Sequence, residues 1–88
     1  MPMGFYYVYV LHNKSKDFLY VGYSENLRGR VKEHNDGKSK STKYFGPLKL
    51  VHYEAYNNKK DAKRREEYLK TTKGRTTLRY MLKEYLGE

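Results

Sequence analysis

Two tyrosines, an arginine, a histidine and a glutamate in this sequence have types and spacings suited to chemistry on a phosphate group. Arg30 and His34 are four residues apart, so on a helix they lie on one face. An arginine at a core edge favours an anionic partner. Tyr9 and Tyr20 could serve as bases only if a cation lowered their pKa from about 10. Glu66 could hold one Mg²⁺, with waters and phosphate oxygens completing the shell.

Each of these residues also has a structural interpretation. A tyrosine in a strand usually belongs to the core, where its ring packs against apolar neighbours. Arg30 could form a salt bridge with Glu54 or Glu66, and for Arg30 taken alone this is the favoured alternative. Glu66 lies in a lysine- and arginine-rich segment and could form ion pairs on a solvated helix. Arg28 lies about 200° around the helix from Arg30 and is expected to face solvent.

Two neighbouring segments are expected to position the tyrosines. Residues 5–11 and 18–23 are rich in β-branched and aromatic residues, which predicts two strands of an antiparallel hairpin. Across that hairpin, Tyr9 and Tyr20 could approach each other. Alternation along the first strand places four residues on one face, namely Phe5, Tyr7, Tyr9 and Leu11, and three on the other, namely Tyr6, Val8 and Val10.

A helix and a third strand are expected to follow the hairpin. Ser24 is predicted to cap the helix, which carries Arg30 and His34, and Gly37 can end it. Residues 38–47 are rich in lysine and serine and predict a loop. Residues 48–56 are apolar and aromatic again and predict the third strand.

The last third of the sequence predicts two further helices. Asn58 is expected to cap a helix over residues 59–72, which carries Glu66. Residues 73–75 are expected to break it, and Thr76 or Thr77 is expected to cap the final helix. An apolar stripe on that final helix predicts core contacts for five residues: Leu78, Met81, Leu82, Tyr85 and Leu86.

The predicted order of elements is strand, strand, helix, strand, helix, helix. This order indicates an α+β (mixed α/β) fold in which a short sheet is packed against helices. With 88 residues and no linker-like segment, residues 1–88 are expected to form one domain around one modest core.

The composition limits the classes of partner. Lysine and arginine number 19 against 10 acidic residues, which gives a net charge of +9 and favours a phosphate-rich partner, although simple solubility is an alternative. The sequence has no cysteine, which excludes disulfides and cysteine-ligated zinc. Its longest apolar run is far shorter than the ~20 residues of a membrane helix. We therefore expect no membrane partner and a cytoplasmic or nucleoid-associated protein.

Taken together, the motifs resemble those of the GIY-YIG endonuclease superfamily. The first motif matches as Tyr7-Val8-Tyr9 and the second as Tyr20-Val21-Gly22. The resemblance continues through the segment with Arg30 and His34 and through the segment with Glu66. It covers nearly the whole chain and is strongest to small stand-alone bacterial proteins that resemble the nuclease domain of the excision-repair incision subunit.

The resemblance implies a short three-stranded antiparallel sheet flanked by helices, in the order ββαβαα. It also implies catalytic roles for four residues. Tyr9 or Tyr20 would orient or deprotonate the attacking water, Arg30 would hold the scissile phosphate, and His34 would shuttle a proton or contact the phosphate. Glu66 would bind a single divalent metal, Mg²⁺ or Mn²⁺.

The function that this resemblance implies is a metal-dependent endonuclease acting on DNA in repair or recombination. The substrate would be branched, nicked or single-stranded DNA, and a protein partner or a homodimer could contribute specificity. Two alternatives are a non-catalytic nucleic-acid-binding module and a partner-docking domain. The basic segments and one aromatic predict the nucleic-acid contacts: Tyr23, Lys38, Lys40, Lys43, Arg64, Lys70, Lys73 and Arg75.

Two positions depart from the superfamily pattern. Tyr7 replaces the glycine of the first motif, on the same strand face as Tyr9, and could narrow the site. Tyr23 stands where some members carry a lysine that activates the water. The identity of the base therefore stays open between Tyr9 and Tyr20.

Overall fold

The computed structural model describes residues 4–37 and 47–88 of the chain, so the predicted loop at 38–47, apart from Pro47, lies outside the described residues. The three strands form one antiparallel sheet in the order β2-β1-β3, which confirms the predicted α+β fold and the order ββαβαα. A short fourth helix follows. The elements are β1 Tyr6–Asn13, β2 Phe18–Ser24, α1 Leu27–Asn35, β3 Lys49–Tyr56, α2 Lys59–Lys70, α3 Thr72–Met81 and α4 Lys83–Leu86.

β1 is the central strand, and its alternation divides the core into two parts, as predicted. On one side, which we call the aliphatic face, small apolar residues of β1 and β2 pack against α2 and α3: Val8, Val10, Leu19, Val21, Ala62, Leu69 and Leu78. On the other side, which we call the tyrosine face, larger residues of β1 pack with the first residue of α1 and with Leu48: Tyr7, Tyr9, Leu11, Leu27 and Leu48. Both faces of β1 are therefore buried.

The cap of α1 is Asn26, and the prediction of Ser24 was wrong. Ser24 is the last residue of β2 and pairs with Tyr7, so the chain has to turn before a helix can begin. The Ser24 hydroxyl instead accepts a hydrogen bond from the Asn26 amide at 2.9 Å. The Asn26 side chain in turn accepts one from the Gly29 amide at 3.2 Å, which satisfies a free donor of the first turn.

Asn58 caps α2 as predicted, but the predicted break at residues 73–75 was wrong. α3 begins at Thr72, and the Thr71 side chain caps it by accepting from the Gly74 amide at 3.0 Å. A Cβ on Gly74 would collide with the backbone of Tyr68. Gly74 therefore lets α3 fold back closely on the end of α2, and its role is close packing inside a helix.

The predicted apolar stripe on the final helix makes core contacts at three of its five residues. Leu78 is buried, and Leu82 and Leu86 pack against the aliphatic face. Leu82 has non-helical dihedral angles (φ −105°, ψ 16°) and separates α3 from α4. Leu82 and Leu86 are half-buried, whereas Met81 and Tyr85 are exposed. Within residues 4–37 and 47–88, no helix is long and apolar enough to cross a membrane.

Candidate active site

A buried hydrogen bond between β1 and α1 forms the centre of the tyrosine face. It joins the Tyr9 hydroxyl to His34 Nε2 at 2.8 Å, and both side chains are almost fully buried. The Tyr9 ring lies over Gly22, its partner in β2, and a Cβ at that position would collide with Tyr9 Cζ and Oη. The second tyrosine-containing motif therefore ends in glycine because the ring of the first motif occupies that space.

Tyr20 completes a cluster of three rings. Its ring centroid is 6.3 Å from that of Tyr9 and 5.0 Å from that of His34. Tyr20 is two residues before Gly22 on β2, so its side chain lies on the same face as Tyr9. The structure therefore brings together the two tyrosines and the histidine that the sequence placed on three separate elements.

Arg30 lies one helical turn before His34, and its guanidinium adjoins the Tyr9 hydroxyl. The structural alternative from the sequence, a salt bridge to Glu54 or Glu66, was wrong. Glu54 is bound by Arg65, with N–O distances of 3.0 and 3.2 Å. Arg30 pairs instead with Glu33 at 3.2 Å, an exposed contact of the i,i+3 type that is worth little.

The surroundings shift the pKa values of Tyr9 and His34 in opposite directions. Burial raises the pKa of Tyr9 to about 12; Arg30 opposes this rise, whereas Tyr20 and Glu66 add to it. Burial, followed by the charge of Arg30, lowers the pKa of His34 below 6.5, although Glu33 opposes this. At neutral pH Tyr9 is therefore protonated and His34 is neutral, so the tyrosine can donate and the imidazole can accept.

Glu66 is a buried carboxylate on α2 that two lysines hold. Lys63 Nζ lies 2.9 Å from one carboxylate oxygen, and Lys70 Nζ lies 2.9 Å from the other. Burial raises the pKa of Glu66, but the hydrogen bonds from Lys70 and Lys63 outweigh burial and lower it overall. Glu66 is therefore ionised, and its charge reaches Tyr9, whose pKa it raises.

Glu66 has the donor chemistry that a hard cation needs. Mg²⁺ is commonly bound through one or two carboxylates, with water and substrate phosphate as the other ligands. In the described parts of the chain, no group of three or more histidines and carboxylates could hold a metal. If an ion bound here, Glu66 is the carboxylate that would contact it. The residues fit such an ion, on the condition that Lys63 and Lys70 yield part of the carboxylate to it.

Lys63 is a neighbour of this site that the sequence analysis missed. Its spacing from Glu66 is i,i+3 and that of Lys70 is i,i+4, which are the spacings at which helical side chains meet. These spacings could have predicted both contacts. Lys70, predicted to contact nucleic acid, is therefore paired with Glu66 in this structure.

The other predicted nucleic-acid contacts are dispersed. Arg64 is exposed and pairs with Asp61 at 3.1 Å, and Lys73 is exposed on α3. Arg75 donates to the Leu19 carbonyl at 3.3 Å and so joins α3 to β2. Lys38, Lys40 and Lys43 lie outside the residues that the structure describes.

Tyr23 lies on the aliphatic side of β2, because it is three residues from Tyr20 and strand residues alternate. Its hydroxyl donates to Glu25 at 3.1 Å, and Lys63 Nζ lies 4.7 Å from the centroid of its ring. Burial and the Glu25 carboxylate raise the pKa of Tyr23 to about 12. The hydroxyl is therefore protonated near neutral pH and is a poor base there.

Comparison with known protein families gives the identity of the domain: the GIY-YIG catalytic domain matches residues 5–79. The chain belongs to the GIY-YIG family. The matched segment includes the Tyr9–His34 pair, Tyr20, Arg30 and Glu66. Membership of this nuclease family supports a nuclease-type function and DNA binding. No solved structure matches the chain.

Several small bacterial proteins are similar over most of their length. A UPF0213 protein of Clostridium perfringens is 46% identical over 65 residues, which are 73% of this chain and 69% of the relative. A UPF0213 protein of Bacillus licheniformis is 37% identical over 82 residues, covering 92% and 84%. A UPF0213 protein of Staphylococcus aureus is 37% identical over 83 residues, covering 93% and 99%. These relatives are consistent with a stand-alone bacterial branch of the GIY-YIG family.

Proposed function

We propose that this protein is a metal-dependent endonuclease that hydrolyses phosphodiester bonds in DNA. The observation that carries the proposal is the buried Tyr9–His34 hydrogen bond beside Arg30. A tyrosine and a histidine could pack in a core without a cation next to them. An arginine guanidinium adjoining a buried hydroxyl favours an anion at this point, and a phosphate satisfies that requirement.

In this proposal, His34 is the proton acceptor and Tyr9 positions the attacking water. A protonated tyrosine is a poor base near neutral pH, whereas a neutral imidazole can take a proton through the hydroxyl that is bonded to it. Arg30 would hold the scissile phosphate, since a guanidinium can donate two parallel hydrogen bonds to it. Tyr20 lies close enough to His34 to orient the ring or to contact the same water.

Glu66 would hold Mg²⁺ or Mn²⁺, which when bound would neutralise phosphate charge and activate water. The chain contributes the carboxylate and the two lysines that keep it ionised. Once a phosphate enters the site, Lys63 and Lys70 have a second anion to contact. We propose that their ammonium groups then leave the Glu66 carboxylate and bind the phosphates of the substrate backbone.

The preferred substrate would be a DNA structure or end, and the role would lie in repair or recombination in the cytoplasm. Lysine and arginine contacts to phosphate fix the position of a protein on DNA but carry no sequence information. The exposed cations of α2 and α3, such as Arg64 and Lys73, suit this kind of contact. Selectivity would therefore depend on DNA shape and on unpaired strands.

A cleavage panel tests the proposal. Nicked, flapped, branched and single-stranded DNA would be incubated with Mg²⁺ or Mn²⁺, with EDTA as the metal-free control. We expect cleavage of at least one structure, loss of cleavage in EDTA and a strong reduction in Tyr9→Phe, which keeps the ring but removes the hydroxyl. Binding of every substrate with no cleavage of any would contradict the proposal.

That outcome would favour the second candidate, a non-catalytic nucleic-acid-binding module. One observation favours it: both oxygens of Glu66 are already bound by lysines. The third possibility, a domain that docks only to another protein, is tested by the salt dependence of DNA affinity. If DNA is the partner, log K should fall linearly with log salt.

A further inference from the structure

A groove between α1 and β3 lies on the tyrosine face. Its volume is about 290 Å³, and it is lined by Leu27, Arg28, Val31, Leu50 and Tyr53. Ligand pockets usually measure about 300–1,000 Å³, so this groove is at the small end of the range. It has room for one planar ring system and is too small for a base pair.

Tyr53 supplies an aromatic surface in this groove. Its side chain is 52% exposed, although it lies on a strand beside the core. Tyr53 is the partner of Tyr9 across the β1–β3 pair, and neighbouring strands are about 5 Å apart. The ring also contacts Tyr7 edge to face, with centroids 6.0 Å apart, which fixes its position. The Tyr53 ring is therefore held in place on the β3 side of the tyrosine face and is open to a ligand.

Arg28 supplies a positive charge at the rim. It is exposed, and in the described ranges it forms no ion pair, unlike Arg30, Arg64, Arg65 and Arg79. Its guanidinium is therefore available to a phosphate. The remaining walls, Leu27, Val31 and Leu50, are apolar and belong to the hydrophobic cluster that also contains Tyr9. The groove thus combines an apolar slot, an exposed ring and an unpaired cation.

We propose that this groove binds the base of one unpaired nucleotide of the substrate strand. The base stacks on Tyr53 between the apolar walls, and Arg28 contacts the phosphate of the same nucleotide. Aromatic stacking accepts any base, because every base has a π-face. The inference rests on the proposed function and gives it a substrate class, since a base inside a duplex is stacked on both sides and cannot enter.

The test compares single-stranded and duplex DNA of equal length, bound in EDTA so that no cleavage occurs. Tyr53→Thr removes the ring and keeps a residue that favours strands. We expect it to weaken single-strand binding about ten-fold, the size of one lost base–aromatic stack, and to leave duplex binding within about two-fold. Tyr53→Phe should bind like the wild type. Tyr80→Ala removes a tyrosine that is 70% exposed on α3 and serves as the matched control.

A 2-aminopurine probe locates the base. Placed at successive positions of the single strand in separate oligonucleotides, it should lose fluorescence at one position on binding to the wild type and to Tyr53→Phe, but not to Tyr53→Thr. Three outcomes would contradict the assignment of the groove as a base-binding site. They are an equal loss of single-strand and duplex affinity in Tyr53→Thr, an unchanged affinity in that variant, and a probe that keeps its fluorescence on binding to the wild type. A wild-type dimer that Tyr53→Thr converts to a monomer would also overturn this assignment, because a second copy would then fill the groove.

These outcomes are separable from failure of the proposed function. If wild type and Tyr53→Thr bind alike and both cleave, the groove assignment fails and the nuclease proposal stands. If the wild type binds no DNA at moderate salt, both fail together.

Discussion

Successive residues of β1 alternate between two faces that differ in chemistry. Val8 and Val10 point to the aliphatic face, where α2 and α3 cover them. Tyr7 and Tyr9 point to the tyrosine face, where hydroxyl groups, an imidazole and a guanidinium replace aliphatic contacts. The contacts of the aliphatic face are apolar and contribute to stability. Changes on the two faces should therefore separate folding from activity.

Glu66 connects the two faces. It belongs to α2, which covers the aliphatic face, yet its charge acts on the Tyr9 hydroxyl of the opposite face. The carboxylate of Glu66 is charged, so it gains nothing from burial against apolar side chains. We therefore expect it to belong functionally to the tyrosine face, and its substitution should give the largest effect on activity.

Glu66→Gln should abolish metal-dependent cleavage and leave DNA binding equal or slightly tighter. The substitution preserves the shape of the side chain and removes the charge that would hold the metal, while Lys63 and Lys70 become available to phosphate. Single-turnover cleavage and binding measured in EDTA test the two parts. Glu67→Gln, at the exposed neighbouring position, is the matched control. Near-normal cleavage by Glu66→Gln would transfer the metal-ligand assignment to Glu67.

Leu69→Ala should test the aliphatic face alone. Leu69 is fully buried between α2 and the sheet, and a buried Leu→Ala change costs about 3 kcal/mol of unfolding free energy. Urea denaturation should show this loss, whereas the cleavage rate per folded molecule should stay close to that of the wild type at low temperature. A large fall in that rate would mean that the two faces are not independent.

Two arginines on α1, Arg30 and Arg28, allow the contribution of the tyrosine face to cleavage to be tested at constant net charge. Both changes to alanine remove one positive charge, but only Arg30 adjoins Tyr9. A directed contact to phosphate in the transition state is worth about 3 kcal/mol, so Arg30→Ala should reduce single-turnover cleavage about a hundredfold. Arg28→Ala should cost severalfold, mainly in binding. Arg30→Lys should restore activity only in part, because lysine lacks the forked pair of donors.

Equal losses at both arginines, with folding verified by circular dichroism, would contradict this assignment. The helix would then supply only a general positive field. The salt dependence of cleavage would distinguish the two cases further. Added salt should reduce the contribution of a general positive field more than that of a direct contact to phosphate, because salt screens exposed charges more strongly than buried ones.

The smallest expected effect is a pH dependence from His34. Its folded pKa lies below 6.5, so the unfolded state binds more protons in the range between the two values. Stability should therefore fall as the pH drops below 6.5, and cleavage should fall with it because the proton acceptor becomes charged. His34→Gln should remove this part of the pH dependence in urea denaturation. An identical pH profile in wild type and variant would exclude His34 as its source.

The sequence predicted the positions of the strands and the separation of the two faces because period-two alternation is a local signal. The same signal placed Tyr9 and Tyr20 together, and helical spacing placed Arg30 beside His34. It missed the cap of α1, because the extent of β2 through Ser24 depends on pairing with Tyr7. It also misjudged Gly74, because a glycine that ends a helix and one that allows two helices to touch look alike in sequence.

Sequence spacing, together with the family resemblance, predicted that Tyr9, Tyr20, Arg30 and His34 would lie together, but it did not predict their electrostatics. The sequence left open which tyrosine would serve as the base. The proposal that His34 takes the proton is supported by burial, which raises the pKa of Tyr9 and lowers that of His34. Burial is a property of the assembled core and cannot be taken from spacing. The i,i+3 spacing could have predicted the ion pair between Glu66 and Lys63. The pairing of Arg30 with Glu33 could not be predicted in this way, because it depends on Glu54 and Glu66 being paired with other cations in the folded protein.

The contact between Gly22 and the Tyr9 ring has a consequence for how such sequences can vary. The space above position 22 belongs to the ring of residue 9, so any side chain at 22 would expel that ring from the site. Replacing Tyr9 by phenylalanine would not free the space, because Cζ of the ring already fills it. The residues at positions 9 and 22 are therefore structurally coupled. An aromatic ring at residue 9 in this position requires glycine at residue 22, and a substitution of the glycine is compatible with the fold only if the ring is also replaced or displaced.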